Sequence, residues 1–564
     1  MKMVKSLLLG GAAGLVAVGG AQAADLPVKA KPVEYVKVCS LYGEGFFYIP
    51  GTDTCLKIGG WVRFDQYGPN TQGSGQPDNS GGAGRNDRLD TADYSQRARF
   101  QVSTDVRTQT EYGTLRAYIR MGFEFTTGTA DRGQLYVERG FIQFAGFTLG
   151  KTQSFFDIWA HAWSYGAFAM AGGSDTAGQG TLAAMYTAAL GNGFSASIGV
   201  EDTDSRRTAL WEATATVAAS GGGTGNPSST ALAIGNFPGP LGLTYTTPSD
   251  CQINLTAGDN TNGNANTTGG LAVTGCPTGN YAAASIPDIV GVLRVDQAWG
   301  SAQLSGALHE VRGGFYGNDF ITQAGNSTGN NYTGVYPSDA WGWAVAAGIV
   351  WNLPWNPGDK FWVEGAYDVG AAAYVGFDPA QGQAGFYDRF DGAKVAAGWA
   401  LDGVYTNNAM FPFSGIQLST SWDVAAAIEH YWTPSLRTSL YGQYSHWTPG
   451  SQGNAIMCNS KGSPAVSTAT GATGNGTVTN VGTVLPGCDF SFNIWSVGTR
   501  TIWNPVKNLD VGLDIMYSEI DQNMNPALIL MSFAGAGGRA AGFYTPSNEG
   551  IVSGLVRVQR NFWP

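Results

Sequence analysis

Past its first two dozen residues the chain has no run of ~18 consecutive apolar residues, the length a membrane-crossing helix requires. Any crossing of a bilayer would have to be made another way. Charge is sparse, at 13% Asp, Glu, Lys and Arg, and histidine is rarer still: His161, His309, His430 and His446. None lies in a nucleophile motif such as GxSxG, so no enzyme activity is expected. The six cysteines (Cys39, Cys55, Cys251, Cys276, Cys458, Cys488) form no CxxC or Cys/His spacing of a zinc site, and no metal or cofactor is expected. A basic excess is missing: the formal charge is −11, which argues against a nucleic-acid partner. Long helical patterns are missing as well. The 82 glycines, 24 prolines and 12% aromatics do not suit a doubly wound α/β enzyme.

What is present is alternation. Ala98, Phe100, Val102 and Val106 alternate with Arg97, Arg99, Gln101, Ser103, Asp105 and Arg107. After a turn at Gln109 to Gly113, Leu115, Ala117, Ile119, Met121, Phe123 and Phe125 alternate with Thr114, Arg116, Tyr118, Arg120 and Glu124. Strand side chains point to opposite faces with period two, so these segments predict two strands with one apolar and one charged face. The pattern recurs along the chain: Leu56, Ile58, Val62 and Phe64 oppose Lys57, Arg63 and Asp65, and Leu509, Val511, Leu513 and Ile515 oppose Asp510 and Asp514. In the last such segment Val552, Val556 and Val558 oppose Ser553, Arg557 and Gln559. Stripes of ~9–11 residues have the length of a tilted membrane strand. Trp299, Trp355, Trp432, Trp447, Trp503 and Trp563 fall near their ends, where interfacial girdles sit.

Residues 1–23 read as a secretory signal, with Lys2 and Lys5, an apolar stretch from Leu7 to Val18, and a small-residue site at Ala21-Gln22-Ala23. An even cysteine count in an exported chain is compatible with disulfides. Proximity favours Cys39–Cys55, Cys251–Cys276 and Cys458–Cys488, the first stapling residues 24–55 ahead of the first strand. The connections at Gln109–Gly113 and Trp503–Asn508 are short. Those at Pro69–Asp93, Thr203–Pro240, Pro248–Pro287, Gly317–Asp339 and Thr448–Gly487 are long, polar and glycine-rich, as suits the outer face of a barrel. A sheet spanning lipid must close, because unpaired edge N–H and C=O groups cost several kcal/mol each. A wall so charged must hold water inside. The fold class is all-β, a transmembrane antiparallel barrel over residues 56–564.

The N-terminal runs Ala24-Asp25-Leu26-Pro27, Pro32 to Cys39 and Tyr42 to Cys55 closely resemble the start of the alphaproteobacterial (rhizobial-type) outer-membrane porin family. Arg107 to Arg116, Phe141 to Phe147, Glu429 to Pro434 and Trp503-Asn504-Pro505 look like further family segments. The resemblance implies a sixteen-stranded homotrimeric barrel with long extracellular loops, in the outer membrane of a Gram-negative bacterium beside its lipid and lipopolysaccharide. It departs from the family in its much longer loops and in ending Phe562-Trp563-Pro564.

In porins generally the segment after the fifth strand folds inward. By resemblance that strand is Phe147–Thr152 and the constriction loop runs from Gln153 to about Gly180. Asp157 and Asp175 on the loop are expected to face an arginine ladder of Arg97, Arg99, Arg107, Arg116 and Arg120, with Arg63 and Lys151 lining the pore. Charges in a narrow, low-dielectric passage act strongly on ions. The resemblance implies passive diffusion of ions and small hydrophilic solutes. The alternative is a channel selective for anions or sugars, for which the arginines would be the ladder. A TonB-type transporter would need a plug domain, for which the stretch between residue 23 and the first strand is too short. An adhesin reading rests on the long loops alone.

Overall fold

The computed structural model describes residues 38–68, 95–126, 134–158, 164–165, 173–176, 180–212, 281–314, 316, 335–377, 386–391, 394–407, 411–459, 487–524 and 545–562, with short strand pieces at 252–254, 272–274, 466–467 and 529–530. The expected signal at 1–23 and both Cys251 and Cys276 lie outside the described residues.

Sixteen long strands follow one another: β1 (Cys55–Tyr67), β2 (Ser95–Thr110), β3 (Gly113–Thr126), β4 (Gln134–Phe144), β5 (Phe147–Thr152), β6 (Thr181–Gly191), β7 (Phe194–Glu201), β8 (Asp288–Gln297), β9 (Gly300–Val311), β10 (Ala340–Asn352), β11 (Lys360–Val369), β12 (Thr420–Thr433), β13 (Leu436–Thr448), β14 (Phe492–Val506), β15 (Leu509–Gln522) and β16 (Glu549–Phe562). Each pairs antiparallel with the next. The last pairs back on the first, Gly60 opposite Phe562 and Asp65 opposite Arg557. The sheet is a closed barrel with no free edge.

Alternation decides which face is which. Val62, Phe64, Ile119, Phe123, Leu440 and Ile515 point outward and touch no covering protein; Val62 is 55% exposed and Ile119 47%. This belt is what lipid chains would cover. Their neighbours Arg63, Arg99 and Asp514 point inward. Trp299, Trp355, Trp432 and Trp503 are exposed beside the short connections, as a girdle requires. Trp447 is a correction: it is fully buried, with its indole N–H donating to the Leu401 carbonyl. Leu440 on the same strand faces out, so the odd-numbered Trp447 must face in. Trp563 lies outside the described residues.

The long connections share one end. The segments 203–240 and 248–287 belong to a single connection between β7 and β8. The connection between β11 and β12 turns back into the mouth. Its residues Ala371 to Val375, Phe377, Trp399 to Leu401 and Tyr405 are buried. Most of them join Trp447, Ile456, Cys458, Cys488, Phe490 and Phe492 in an apolar core inside the ring of strands, and Tyr405 packs in a smaller cluster with Leu210, Val311 and Tyr316. This cap rests on β10, β11, β12, β15 and β16. Phe377 meets Phe492 of β14 edge-on, and the Tyr374 hydroxyl donates to Asp288 of β8 at 2.7 Å. The disulfide Cys458–Cys488 closes the connection next to it, and Cys39–Cys55 staples the N-terminal segment to β1.

Candidate pore and its constriction

The segment after β5 lies within the barrel. The side-chain amide of Gln303, on β9, donates to the carbonyls of Phe155 and Asp157, both at 3.1 Å. Tyr165 N–H donates to Asp514 on β15 at 2.9 Å, and Arg500 on β14 donates to the Ser164 carbonyl at 2.9 Å. The Tyr165 ring lies 4.1 Å from the Arg557 guanidinium, and burial pushes its phenol up to about 12, so it stays neutral over the working pH range. The chain then returns to β12, where Gly173 N–H donates to Asp423 at 2.5 Å. At the start of the loop Glu201, the last residue of β7, accepts from Ser154 Oγ at 2.6 Å and from Phe155 N–H at 2.8 Å. The loop is therefore strapped to the wall that runs from β7 to β16.

Gly512 on β15 makes room for this strap, since a Cβ there would run into the Tyr165 hydroxyl. Gly512→Val is expected to evict Tyr165 and leave Arg557 without its aromatic cover. Single-channel recordings of the variant should show a larger and noisier open state, whereas an unchanged trace would mean that Tyr165 does not set the opening.

The two loop acids are placed differently from the expectation. Asp157 is wholly buried, accepting from Ser174 Oγ at 2.5 Å, from Thr176 N–H and Oγ1, and from Arg206 at 3.2 Å. It ties one end of the loop to the other. Asp175 is buried too, and both acids lie in the field of Arg139. The reason is local: a loop folded into a barrel must satisfy its own backbone, and these carboxylates serve as its acceptors.

The wall from β16 through β1 to β4 carries the arginines, and Tyr165 of the loop reaches its edge at Arg557. Asp65, fully buried, meets Arg557 at 2.6 Å, Arg97 at 3.0 Å and Arg63 at 3.3 Å. Arg99 contacts Glu124 at 2.8 Å and Glu138 at 3.7 Å, and Arg120 contacts Glu138 at 3.5 Å. Trp61 lies 4.4 Å from Arg63 and Tyr136 lies 4.2 Å from Arg99, holding the guanidinium planes. Arg107 and Arg116 stand apart from this group. They share Asp105 at 2.8 and 2.9 Å near the short-turn end, and Arg107 packs on Phe46 of the stapled segment. Lys151 is paired in register with Gly140, next to Arg139.

Sequence reading passed over several contributors. Arg557 sits on a recognised polar face, but only closure of the ring brings it to Asp65. Glu138 and Arg139 both point inward because the β3–β4 register shifts between Arg120 and Met121; a bulge of this kind re-aims a side chain and leaves no period-two signal. Arg206 and Tyr374 come from connections. Their one trace is the apolar run at 371–375 inside a polar segment. In the cap, Asp402 accepts from Thr208 N–H, Ala372 N–H and the Tyr281 hydroxyl, and burial pushes its carboxyl above the ordinary range. Burial likewise raises the phenols of Tyr281 and Tyr374.

A porin subfamily model matches residues 25–540. Porin Omp2b of Brucella suis is 36% identical over 211 residues, 35% of this chain and 52% of that protein. Porin Omp2b of Brucella abortus (strain 2308) is 36% identical over 212 residues, 35% of this chain and 54% of that protein. The chain thus spans about half the length of the curated relatives it matches. Among solved structures, the outer membrane channel DcaP of Acinetobacter baumannii has a TM-score of 0.48 at 13% identity, covering 91% of this chain and 99% of that one. An anion-selective porin from Comamonas acidovorans has a TM-score of 0.37 at 10% identity, covering 90% and 100%. With the family model running nearly the length of a closed sixteen-stranded barrel, the chain belongs to the porin subfamily of outer-membrane β-barrel proteins.

Proposed function

We propose that the protein is a general porin, a water-filled channel for passive diffusion of ions and small hydrophilic solutes, working as a homotrimer in outer-membrane lipid and lipopolysaccharide. The observation that carries this reading is the inner face of β1 to β4. Arg63, Arg97 and Arg99 keep 12%, 13% and 16% of their side-chain surface accessible and Arg120 keeps 35%, and a wall of that charge needs water before it. The loop at 153–180 narrows the passage from the other side, and Arg97, Arg99 and Arg120, flanked by Arg63, weight the traffic by charge. Asp157 and Asp175 act by holding the loop in place rather than by lining the water path. Arg107 and Arg116 belong to the short-turn rim, and Lys151 to the base of the loop. No catalytic role is proposed for any residue.

A second reading, a channel selective for anions, is favoured by the same wall. Conductance of the purified, unboiled protein in a planar bilayer under a salt gradient separates the two. Large ohmic steps arriving in threes are expected, with a reversal potential of anionic sign. Small steps blocked by one solute would favour the selective channel. Folded protein that gives no steps would overturn both.

A further inference from the structure

Arg63 on β1 and Arg99 on β2 are direct cross-strand partners. Like charges placed opposite one another destabilise a sheet, so the pair calls for compensation. The same barrel shows what compensation looks like. Arg107 and Arg116 are also opposite partners, and Asp105 receives a two-point contact from each. Among the described residues, no carboxylate takes such contacts from both Arg63 and Arg99. Asp65 is divided among Arg63, Arg97 and Arg557, and Glu124 meets Arg99 from its far side on β3.

Among the described residues, the ion pairs of this wall join five guanidiniums (Arg63, Arg97, Arg99, Arg120, Arg557) to three carboxylates (Asp65, Glu124, Glu138), an excess of two positive charges within those pairs. The loop acids cannot supply the balance, because Asp157 is committed to Arg206 and both it and Asp175 lie beside Arg139. Among the described residues, the Nε–H of Arg120 is also buried without a hydrogen-bond acceptor. Guanidinium forks held 4.4 Å from the Trp61 ring and 4.2 Å from the Tyr136 ring are pre-organised for a planar or tetrahedral oxyanion.

Resting on the porin reading above, we propose that Arg63 and Arg99, backed by Arg97 and Arg120, form a binding subsite for small oxyanions carrying two negative charges. A dicarboxylate and an inorganic dianion share that chemistry. Most loop and cap contacts are with β7 to β16, so a solute in transit passes along the face of β1 to β3.

The test is chloride conductance of the trimer in planar bilayers at low ionic strength, where screening is weakest, with added succinate, sulfate or the monoanion gluconate. Succinate and sulfate should reduce the open-state current at concentrations about tenfold lower than gluconate does, as one extra charge-assisted contact implies. The double variant Arg63→Gln/Arg99→Gln should lose that difference while keeping its steps in threes. Arg63→Lys/Arg99→Lys, which preserves both charges and with them the fold, should keep anionic reversal yet bind succinate several-fold more weakly. Block by succinate alone assigns the site to dicarboxylates, and block by sulfate alone assigns it to tetrahedral dianions. Equal potency of gluconate and the dianions, or block unchanged in both double variants, would overturn the subsite and leave the porin reading standing. Absence of steps from folded wild-type protein would overturn both.

Discussion

Replacing residues 371–418 with a two-residue Asn-Gly turn is expected to raise the single-channel conductance several-fold while leaving the oligomeric state of the protein unchanged. Val369 and Thr420 are already cross-strand partners at the ends of β11 and β12, so a tight turn can join them without disturbing the ladder. The excised segment contributes the buried run at 371–377, Trp399 to Leu401 and Tyr405, all of which occupy space inside the ring. Its removal takes Asp402 from Thr208 N–H and the Tyr281 hydroxyl, and the Leu401 carbonyl from the Trp447 indole, leaving those donors to water in the opened mouth. Asp288 keeps His309 at 2.9 Å and Thr203 at 2.7 Å after losing Tyr374, and Arg206 keeps Asp157. The cost falls on Trp447, Phe490 and Phe492, which become wet within the lumen rather than exposed to lipid. Barrel stability should therefore change little, as read by the temperature at which the unboiled species disappears from gels. A conductance equal to wild type would show that the water path bypasses the cap altogether.

That cap was the least legible part of the molecule. Alternation is a local signal, and Leu115 to Phe125 or Leu509 to Ile515 could be assigned to the lipid face without knowing their neighbours. A run such as Ala371-Ala372-Ala373-Tyr374-Val375 has no period of two or of 3.6. Its burial depends on wall residues from Asp288 to Phe492, far away in sequence. The candidate site divides along the same line. Arg97, Arg99 and Arg120 were readable because they alternate with apolar residues on adjacent strands. Their acidic and aromatic partners were not, because Arg557 reaches Asp65 only through ring closure and Glu138 turns inward only through a bulge. Asp157 shows the opposite failure. A carboxylate on a loop reads as solvent-facing by default, yet here it is the acceptor around which the loop folds. Trp447 misleads for a related reason, since an aromatic near a strand end marks the girdle only when its parity puts it outside.

The largest loss of stability is expected at Asp65. Its side chain is fully buried and serves Arg557 from β16, Arg97 from β2 and Arg63 on its own strand. It thereby bridges the seam where the last strand meets the first. Asp65→Ala leaves those guanidiniums crowded together with no shared counter-charge. Breaking a buried ion pair from one side costs about 3–5 kcal/mol, and here more than one cation is orphaned. The nearest carboxylates, Glu124 and Glu138, are already engaged with Arg99 and Arg120. Urea unfolding from lipid vesicles should show the midpoint falling by an amount that corresponds to this cost. Arg557→Gln, which removes one cation but leaves Arg97 and Arg63 on the carboxylate, should lower it far less. The double variant Asp65→Ala/Arg557→Gln should recover part of the loss, because it removes a repelling charge along with the acceptor. Recovery in the double variant separates an electrostatic clamp from simple packing, since a cavity left at Asp65 would only be enlarged by trimming Arg557. Asp65→Ala with an unchanged midpoint would mean that water in the lumen already solvates these arginines and that the seam is held by its backbone ladder alone.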